Sequence, residues 1–130
     1  MTVSDSKKIF KILIAEDNIL NQRLICTVLK KNNFDVVTAV NGNEACEMNK
    51  SEKPDLILMD VEMPDVNGYE AVKRIRENEK ISKSRVPILA LTGHYLQEDI
   101  DNIYNCGMDD YISKPIAFEK FINKIFSFLE

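Results

Sequence analysis

The sequence predicts an α/β fold in which a five-stranded parallel sheet is covered by helices on both faces. Short apolar runs rich in branched residues alternate five times with segments of helical periodicity. The runs at residues 55–59 and 86–91 are almost wholly apolar, which is typical of strands buried on both faces of a parallel sheet. Right-handed crossovers then favour the doubly wound, flavodoxin-like class with strand order 2-1-3-4-5.

Turn residues separate the elements in the first half of the chain. We expect strands at residues 9–15, 34–40 and 55–59 and helices at residues 21–31 and 43–50. Asn41-Gly42 marks the turn before the second helix, and Pro54 precedes the third strand. Helical spacing predicts a shared buried face in the first helix for Leu20, Leu24, Val28 and Leu29.

The alternation continues through the second half. We expect helices at residues 69–79, 96–104 and 118–129 and strands at residues 86–91 and 110–113. Gly107 is expected to cap the fourth helix. Residues 1–8 are polar and lack the apolar core of a signal peptide, so we expect a flexible lead-in there and a single domain over residues 9–130.

Composition excludes several classes of protein. No apolar run approaches the ~18 residues of a membrane helix, and a net charge of −4 without a basic block argues against direct nucleic-acid binding. The three cysteines have no CxxC spacing, which excludes a disulfide framework or a zinc site and favours the cytoplasm. Cys26 and Cys106 are expected to be small buried residues.

Polar side chains stand where four of the predicted strands end. Glu16 and Asp17 follow the first strand, Asp60 the third, Thr92 the fourth and Lys114 the fifth. Adjacent parallel strands end at one edge of the sheet, so these residues should converge. Three carboxylates repel one another unless a cation lies among them, and few oxygen ligands with room for water suit Mg²⁺. An ammonium and a hydroxyl beside them suit phosphoryl transfer to a carboxylate.

Each of these features has a structural alternative when taken alone. Asp17 or Asn18 could cap the first helix, and Lys114-Pro115 alone would indicate a turn. The joint pattern at four strand ends has no comparable structural explanation.

With these residues in place, the chain resembles the receiver domains of response regulators and hybrid histidine kinases, which have the CheY-like form of this fold. The resemblance covers about residues 9–129 and rests on the segments IAEDN (14–18), LILMDVEMPDVNGYE (56–70), ALTGH (90–94) and GMDDYISKPI (107–116). It implies a phosphoacceptor domain of two-component or phosphorelay signalling. The phosphoryl donor would be a histidine kinase or a histidine phosphotransfer domain, and Mg²⁺ would be the cofactor.

The resemblance also implies roles at the phosphorylation site. Asp60 would be the phosphorylated aspartate. Asp17 would bind Mg²⁺ directly, Glu16 would bind it mostly through water, and the backbone carbonyl of Glu62 would complete the protein ligands. Lys114 would contact a phosphoryl oxygen and precede a cis proline.

Two further residues would report phosphorylation to a partner. Thr92 would swing toward the phosphoryl group, and Tyr111 would change its exposure. The face formed by the fourth helix, the fifth strand and the fifth helix would then alter its binding to a protein partner. We expect a monomer or a weak dimer, either as a free-standing receiver or as one domain of a longer hybrid kinase.

Some positions indicate a subtype or depart from the family pattern. Asn21-Gln22 after the acidic pair is similar to receivers of hybrid kinases and phosphorelays. Gly93 stands where Ala is common and should loosen the loop after Thr92. Glu62 adds a carboxylate beside the site. His94 is either an exposed residue at the site's edge or a group that tunes dephosphorylation.

Two rival functions remain open at this level. One is a pseudo-receiver that binds partners without phosphate, although the intact acidic, hydroxyl and lysine positions argue against it. The other is a phosphatase of the haloacid dehalogenase type, suggested by Asp60-Val61-Glu62. That motif normally follows the first strand, and this chain has no room for a substrate-capping module.

Overall fold

A computed structural model describes residues 8–93 and 96–129. Its strands are β1 Lys11–Ala15, β2 Asp35–Ala39, β3 Leu56–Asp60, β4 Ile88–Thr92 and β5 Asp110–Ser113. Its helices are α1 Ile19–Lys31, α2 Gly42–Glu52, α3 Gly68–Ser82, α4 Gln97–Cys106 and α5 Phe118–Leu129. The expected lead-in at residues 1–8, apart from Lys8, and the expectations for His94 lie outside the described residues.

The sheet is parallel and has the predicted order β2-β1-β3-β4-β5. Successive residues of a strand point to opposite faces, so each strand supplies two apolar layers. On one face, Leu13, Ile57 and Ala90 pack against α2, α3 and α4. On the other face, residues such as Ile12 and Leu58 pack against α1 and α5. The prediction of strands buried on both faces is confirmed.

Strand register places the predicted site residues at one edge. Ala15 of β1 is paired with Met59 of β3, so the residues that follow them, Glu16 and Asp60, lie side by side. Asp60 is paired with Leu91, which brings Thr92 to the same edge. Hydrogen bonding continues past the last pairs, because the backbone N–H of Lys114 donates to the carbonyl of Thr92 at 2.8 Å.

Helix α1 differs from its prediction in where it begins and which side it buries. It begins at Ile19, because Asn18 is its N-cap and accepts the backbone N–H of Asn21 at 3.0 Å. The prediction that Leu20 and Leu24 are buried was wrong, since they are 76% and 52% exposed. The apolar residues of α1 form two neighbouring stripes, and periodicity alone does not say which stripe faces the core. The buried stripe contains Gln22, Ile25 and Leu29.

The other boundaries follow from caps and turns. Helices α2 and α3 begin at a glycine and extend two or three residues beyond the predicted ends. Each is capped at its C-terminal end by a lysine in the left-handed conformation, Lys53 for α2 and Lys83 for α3. Gly107 caps α4 as expected, with φ of 111°. Cys106 is buried as expected, while Cys26 is only half-buried. Among the described residues, none of the helices is long and apolar enough to cross a membrane.

Candidate functional site

The carboxylates of Glu16, Asp17 and Asp60 form an acidic cluster at the carboxyl edge of the sheet. Oxygen atoms from the three groups all lie within 4.8 Å of one another. Glu16 and Asp60 are buried, and Asp17 is exposed to solvent. Two buried oxygen donors and one exposed donor provide a partial, open coordination shell, which suits a hydrated Mg²⁺ ion.

Lys114 joins the two buried carboxylates. Its ammonium nitrogen lies 3.1 Å from Glu16 Oε1 and 2.9 Å from Asp60 Oδ2. The lysine follows β5 directly, and the peptide bond to Pro115 is cis, as the family resemblance implies. The cation therefore sits beside the oxygens of Asp60 and is within reach of any group attached to them.

Asp60 is held by both of its carboxylate oxygens. Lys114 donates to Oδ2, and the backbone N–H of Glu62 donates to Oδ1 at 2.9 Å. The loop after β3 is fixed in turn by two close backbone approaches. A Cβ added at Gly68 would lie 2.3 Å from the Asp60 carbonyl oxygen, and one at Gly42 would lie 2.2 Å from the Val66 carbonyl oxygen. Glycine is required at both positions to hold this loop against the site.

An open cleft of about 340 Å³ gives access to the acidic cluster. The cleft is lined by Glu16, Asp17, Asn18, Asn21, Asp60, Val61, Glu62, Gly93 and Lys114. Glu62 is an exposed residue of this lining.

The acidic cluster shifts the protonation of its members. Burial, followed by the hydrogen bond and charge of Asp60, raises the pKa of Glu16 to about 7. Burial alone would lower the pKa of Lys114, but its contacts with Asp60 and then Glu16 raise that pKa above the ordinary value. Lys114 is therefore charged at neutral pH, whereas Glu16 is close to its titration point.

The two expected switch residues lie on neighbouring strands and share a face of the sheet, because Tyr111 is paired with Ala90, two residues before Thr92. Thr92 is 1% exposed at the end of β4, next to the site. Tyr111 is half-buried and packs against the apolar layer beneath α3 and α4. On its other side, the Lys124 ammonium lies 3.1 Å from the Tyr111 carbonyl oxygen and 5.7 Å from the centre of its ring. A Cβ at Gly93 would meet no atom within 4 Å, so the fold does not require glycine there.

Two features of the site were not found from the sequence. Gln22 is buried and contacts the backbone of Glu16, although the sequence marked it only as a subtype feature. The approach of Gly42 to Val66 was also missed, because its partner is distant in sequence. A glutamine within the apolar stripe of a helix is the signal that would have identified the first feature.

Magnesium should stabilise the domain, and more strongly at higher pH. The folded-state pKa of Glu16 is raised, so without Mg²⁺ the folded state binds more protons than the unfolded state and loses stability as pH rises from about 4.5 to about 7. Above that window the ionised carboxylates would attract a Mg²⁺ ion, and an ion bound only by the folded state would stabilise it. We expect millimolar Mg²⁺ to raise Tm by several degrees at about pH 8 and by much less at about pH 5.5. Thermal melts with MgCl₂ or a chelator test this, and a pH-independent or absent Mg²⁺ effect would contradict it.

The chain is similar to known proteins over most of its length. The family model for the response regulator receiver domain matches residues 12–126. The hybrid signal transduction histidine kinase I of Dictyostelium discoideum is 43% identical over 111 residues, which are 82% of this chain and 6% of that protein. The polar-differentiation response regulator DivK of Brucella anthropi is 34% identical over 91% of this chain and 94% of its own length. The chain therefore spans a small part of one curated relative and nearly all of the other.

Solved structures match over almost the whole domain. The receiver domain of the sensor histidine kinase PA1611 from Pseudomonas aeruginosa, with magnesium coordinated in its active site cleft, has a TM-score of 0.85, 34% identity and coverage of 94% of this chain and 98% of that one. A second match is the Saccharomyces cerevisiae complex of the histidine phosphotransfer protein Ypd1 with the receiver domain of Ssk1. It has a TM-score of 0.84 and 35% identity, and the match covers 93% of this chain and 91% of that one. Both matched chains have the fold of this chain and are receiver domains of signalling proteins. One belongs to a sensor histidine kinase, and the other is in complex with a histidine phosphotransfer protein.

Proposed function

The chain belongs to the response regulator receiver domain family, and we propose that it accepts a phosphoryl group on Asp60 with the help of Mg²⁺. The observation that supports this most strongly is the setting of Asp60. One oxygen accepts a hydrogen bond from the Lys114 ammonium at 2.9 Å, and the other accepts one from the Glu62 N–H at 2.9 Å. The carboxylates of Glu16 and Asp17 lie beside them. A buried carboxylate held by two donors in an open cleft is oriented as a nucleophile.

The proposed step is a phosphoryl transfer from a phosphohistidine. An oxygen of Asp60 forms a bond to phosphorus while the bond from phosphorus to the histidine nitrogen breaks, and the nitrogen keeps the electron pair. Mg²⁺ held by Asp17, Asp60, Glu16 through water and the Glu62 carbonyl would neutralise charge on the phosphoryl oxygens. Lys114 would neutralise a second oxygen, because it already lies against Asp60 Oδ2.

The phosphorylated domain would signal through its α4–β5–α5 face. The phosphoryl group gives the Thr92 hydroxyl a new acceptor at the end of β4, and a movement there would alter the space beside Tyr111 on β5. Tyr111 is paired with Ala90, two residues before Thr92. This pairing supports a coupling between the site and the α4–β5–α5 face, where a protein partner would bind.

We place the docking surface of the donor on α1. The exposed side chains of Leu20 and Leu24 form an apolar stripe there, contrary to their predicted burial. A groove of about 240 Å³ runs from this stripe to the loop after β5 and is lined by Leu24, Ile116 and Phe118. Glu16, Asn21 and Lys114 line both this groove and the cleft at Asp60. A histidine phosphotransfer domain that covered the stripe would bring its histidine to the cleft, and the similar receiver domain of Ssk1 forms a complex with such a protein, Ypd1.

Leu24→Asp should separate docking from chemistry. A charge in the apolar stripe should weaken docking, since burying an unpaired carboxylate is costly, and slow transfer from a phosphorylated histidine phosphotransfer domain by about 10-fold or more. Phosphorylation by acetyl phosphate should be unchanged, because that donor needs no docking surface. Ser51→Asp, at an exposed position of α2 away from this stripe, is the matched control. Equal slowing with both donors would contradict the docking role.

The proposed function is tested by intact mass after incubation with acetyl phosphate. A phosphoryl mass increase that requires Mg²⁺ would support it. A folded protein that gains no mass from acetyl phosphate or from a phosphorylated histidine phosphotransfer domain would favour the phosphate-independent pseudo-receiver.

The phosphatase alternative is disfavoured by the position of Asp60 at the end of β3. The free thiols of Cys26, Cys46 and Cys106 suit the reducing cytoplasm as the location.

A further inference from the structure

Gln22 is a buried polar residue in an apolar environment. It lies on the core-facing stripe of α1 together with Ile25 and Leu29, and only 9% of it is exposed. An apolar residue would satisfy the packing at such a position without the cost of burying an amide. The position therefore contains a polar group for a reason other than the hydrophobic core.

The side-chain amide of Gln22 joins the ends of two strands. Its nitrogen donates to the carbonyl oxygen of Glu16 at 3.0 Å and to that of Ala39 at 3.2 Å. The backbone N–H of Glu16 donates to the same Ala39 oxygen at 3.0 Å. One amide thus fixes Glu16, which follows β1, against the last residue of β2, and it does so from a third element, α1.

Both the backbone and the carboxylate of Glu16 are fixed as a result. The Glu16 backbone is held by Gln22 and Ala39, and its carboxylate is held by Lys114 at 3.1 Å and by the Asn18 N–H at 3.2 Å. Asp17 is the next residue along the chain, so its Cα position depends on the same anchor. Both hydrogen bonds of the Gln22 amide nitrogen go to backbone carbonyl oxygens, so its effect on the cluster is through the backbone.

We propose that Gln22 is a positioning residue that sets the Mg²⁺ affinity of the acidic cluster. Holding the backbone of residues 16 and 17 pre-organises two of the carboxylates, so the ion does not have to order them when it binds. The inference rests on the proposed function, since it concerns the metal site of the same reaction, and it adds a residue that does not touch the metal.

Gln22→Met keeps the length of the side chain and removes its donor. We expect the Kd for Mg²⁺, measured by calorimetric titration without any phosphoryl donor, to rise about 10-fold, which is the lower end of the range for residues that orient metal ligands. In acetyl phosphate assays the half-saturating Mg²⁺ concentration should rise by the same factor, while the rate at saturating Mg²⁺ should be unchanged. Leu29→Ala, on the same buried stripe, is the control: it should lower Tm and leave the Kd for Mg²⁺ unchanged.

A purely structural role predicts different results. Gln22→Met would then lower Tm without changing Mg²⁺ affinity, as Leu29→Ala does, and that result would overturn the inference. The wild type provides a test that needs no variant: the Gln22 side-chain amide protons should exchange slowly and shift in NMR spectra when Mg²⁺ is added. Fast exchange, like that of an exposed amide, or no shift would also overturn it. If the wild type itself fails to bind Mg²⁺, the proposed function fails as well.

Discussion

Asp60→Asn is expected to abolish phosphorylation of the domain by acetyl phosphate and by phosphohistidine donors. An amide oxygen is a far weaker nucleophile than a carboxylate oxygen, and the substitution also removes one of three charges that would bind Mg²⁺. The intact mass of the variant should remain unchanged under conditions in which the wild type gains a phosphoryl group. A phosphoryl mass increase in the variant would show that another residue accepts the group.

The variant should remain folded, which makes its inactivity interpretable. Asp60 contributes both a hydrogen bond and a charge that raise the pKa of Glu16, so its neutralisation relieves part of the repulsion in the acidic cluster. We expect Tm in a chelator at about pH 8 to be equal to or above that of the wild type. Asp65→Asn is the matched control, because Asp65 is an exposed carboxylate in the adjacent loop. This variant should be phosphorylated on Asp60 as the wild type is.

Lys114→Met should have the second-largest effect. It removes the cation that lies against Asp60 Oδ2, so charge on the phosphoryl oxygens is no longer neutralised there. We expect the rate of phosphorylation to fall by about 10²–10³-fold, the usual loss when one stabilising donor is removed from an active site. Intact mass measured in quenched time courses gives this rate. Lys120→Met, at an exposed position of α5, is the control.

The same substitution should reveal the repulsion between Glu16 and Asp60. Both carboxylates would remain buried without their shared cation. We expect a loss of about 1–3 kcal/mol in the free energy of unfolding at about pH 8 without Mg²⁺, and a smaller loss at about pH 5.5, where Glu16 is protonated. Added Mg²⁺ should restore much of the lost stability. A variant as active and as stable as the wild type would contradict the assigned geometry.

The fold was predictable because the strands are nearly pure apolar runs. Segments such as 55–59 and 86–91 are typical of buried parallel strands, and right-handed crossovers restrict the topology to the doubly wound class, in which the order 2-1-3-4-5 suits five strands. The convergence of Glu16, Asp17 and Asp60 was predictable for the same reason, since these residues stand at the carboxyl ends of two adjacent strands of the sheet.

Contacts that depend on side-chain rotation about a helix axis were not predictable. The two apolar stripes of α1 have the same periodicity, and the choice between them was decided by the fit of Ile25 and Leu29 against the sheet. Consequently the exposed positions of Leu20 and Leu24, and the burial of Gln22, appeared only in the structure. The backbone approach between Gly42 and Val66 likewise depends on how α2 and the loop after β3 pack together.

The most direct test of the central claim is the position of the phosphoryl group on the wild-type chain. After phosphorylation in the presence of Mg²⁺, borohydride reduces an acyl phosphate on aspartate to homoserine, and peptide mass spectrometry then locates the altered residue. We expect homoserine at position 60 and at no other aspartate position. Reduction at Asp17 or Asp65, or a stable phosphoryl group on Thr92 that borohydride leaves intact, would contradict it.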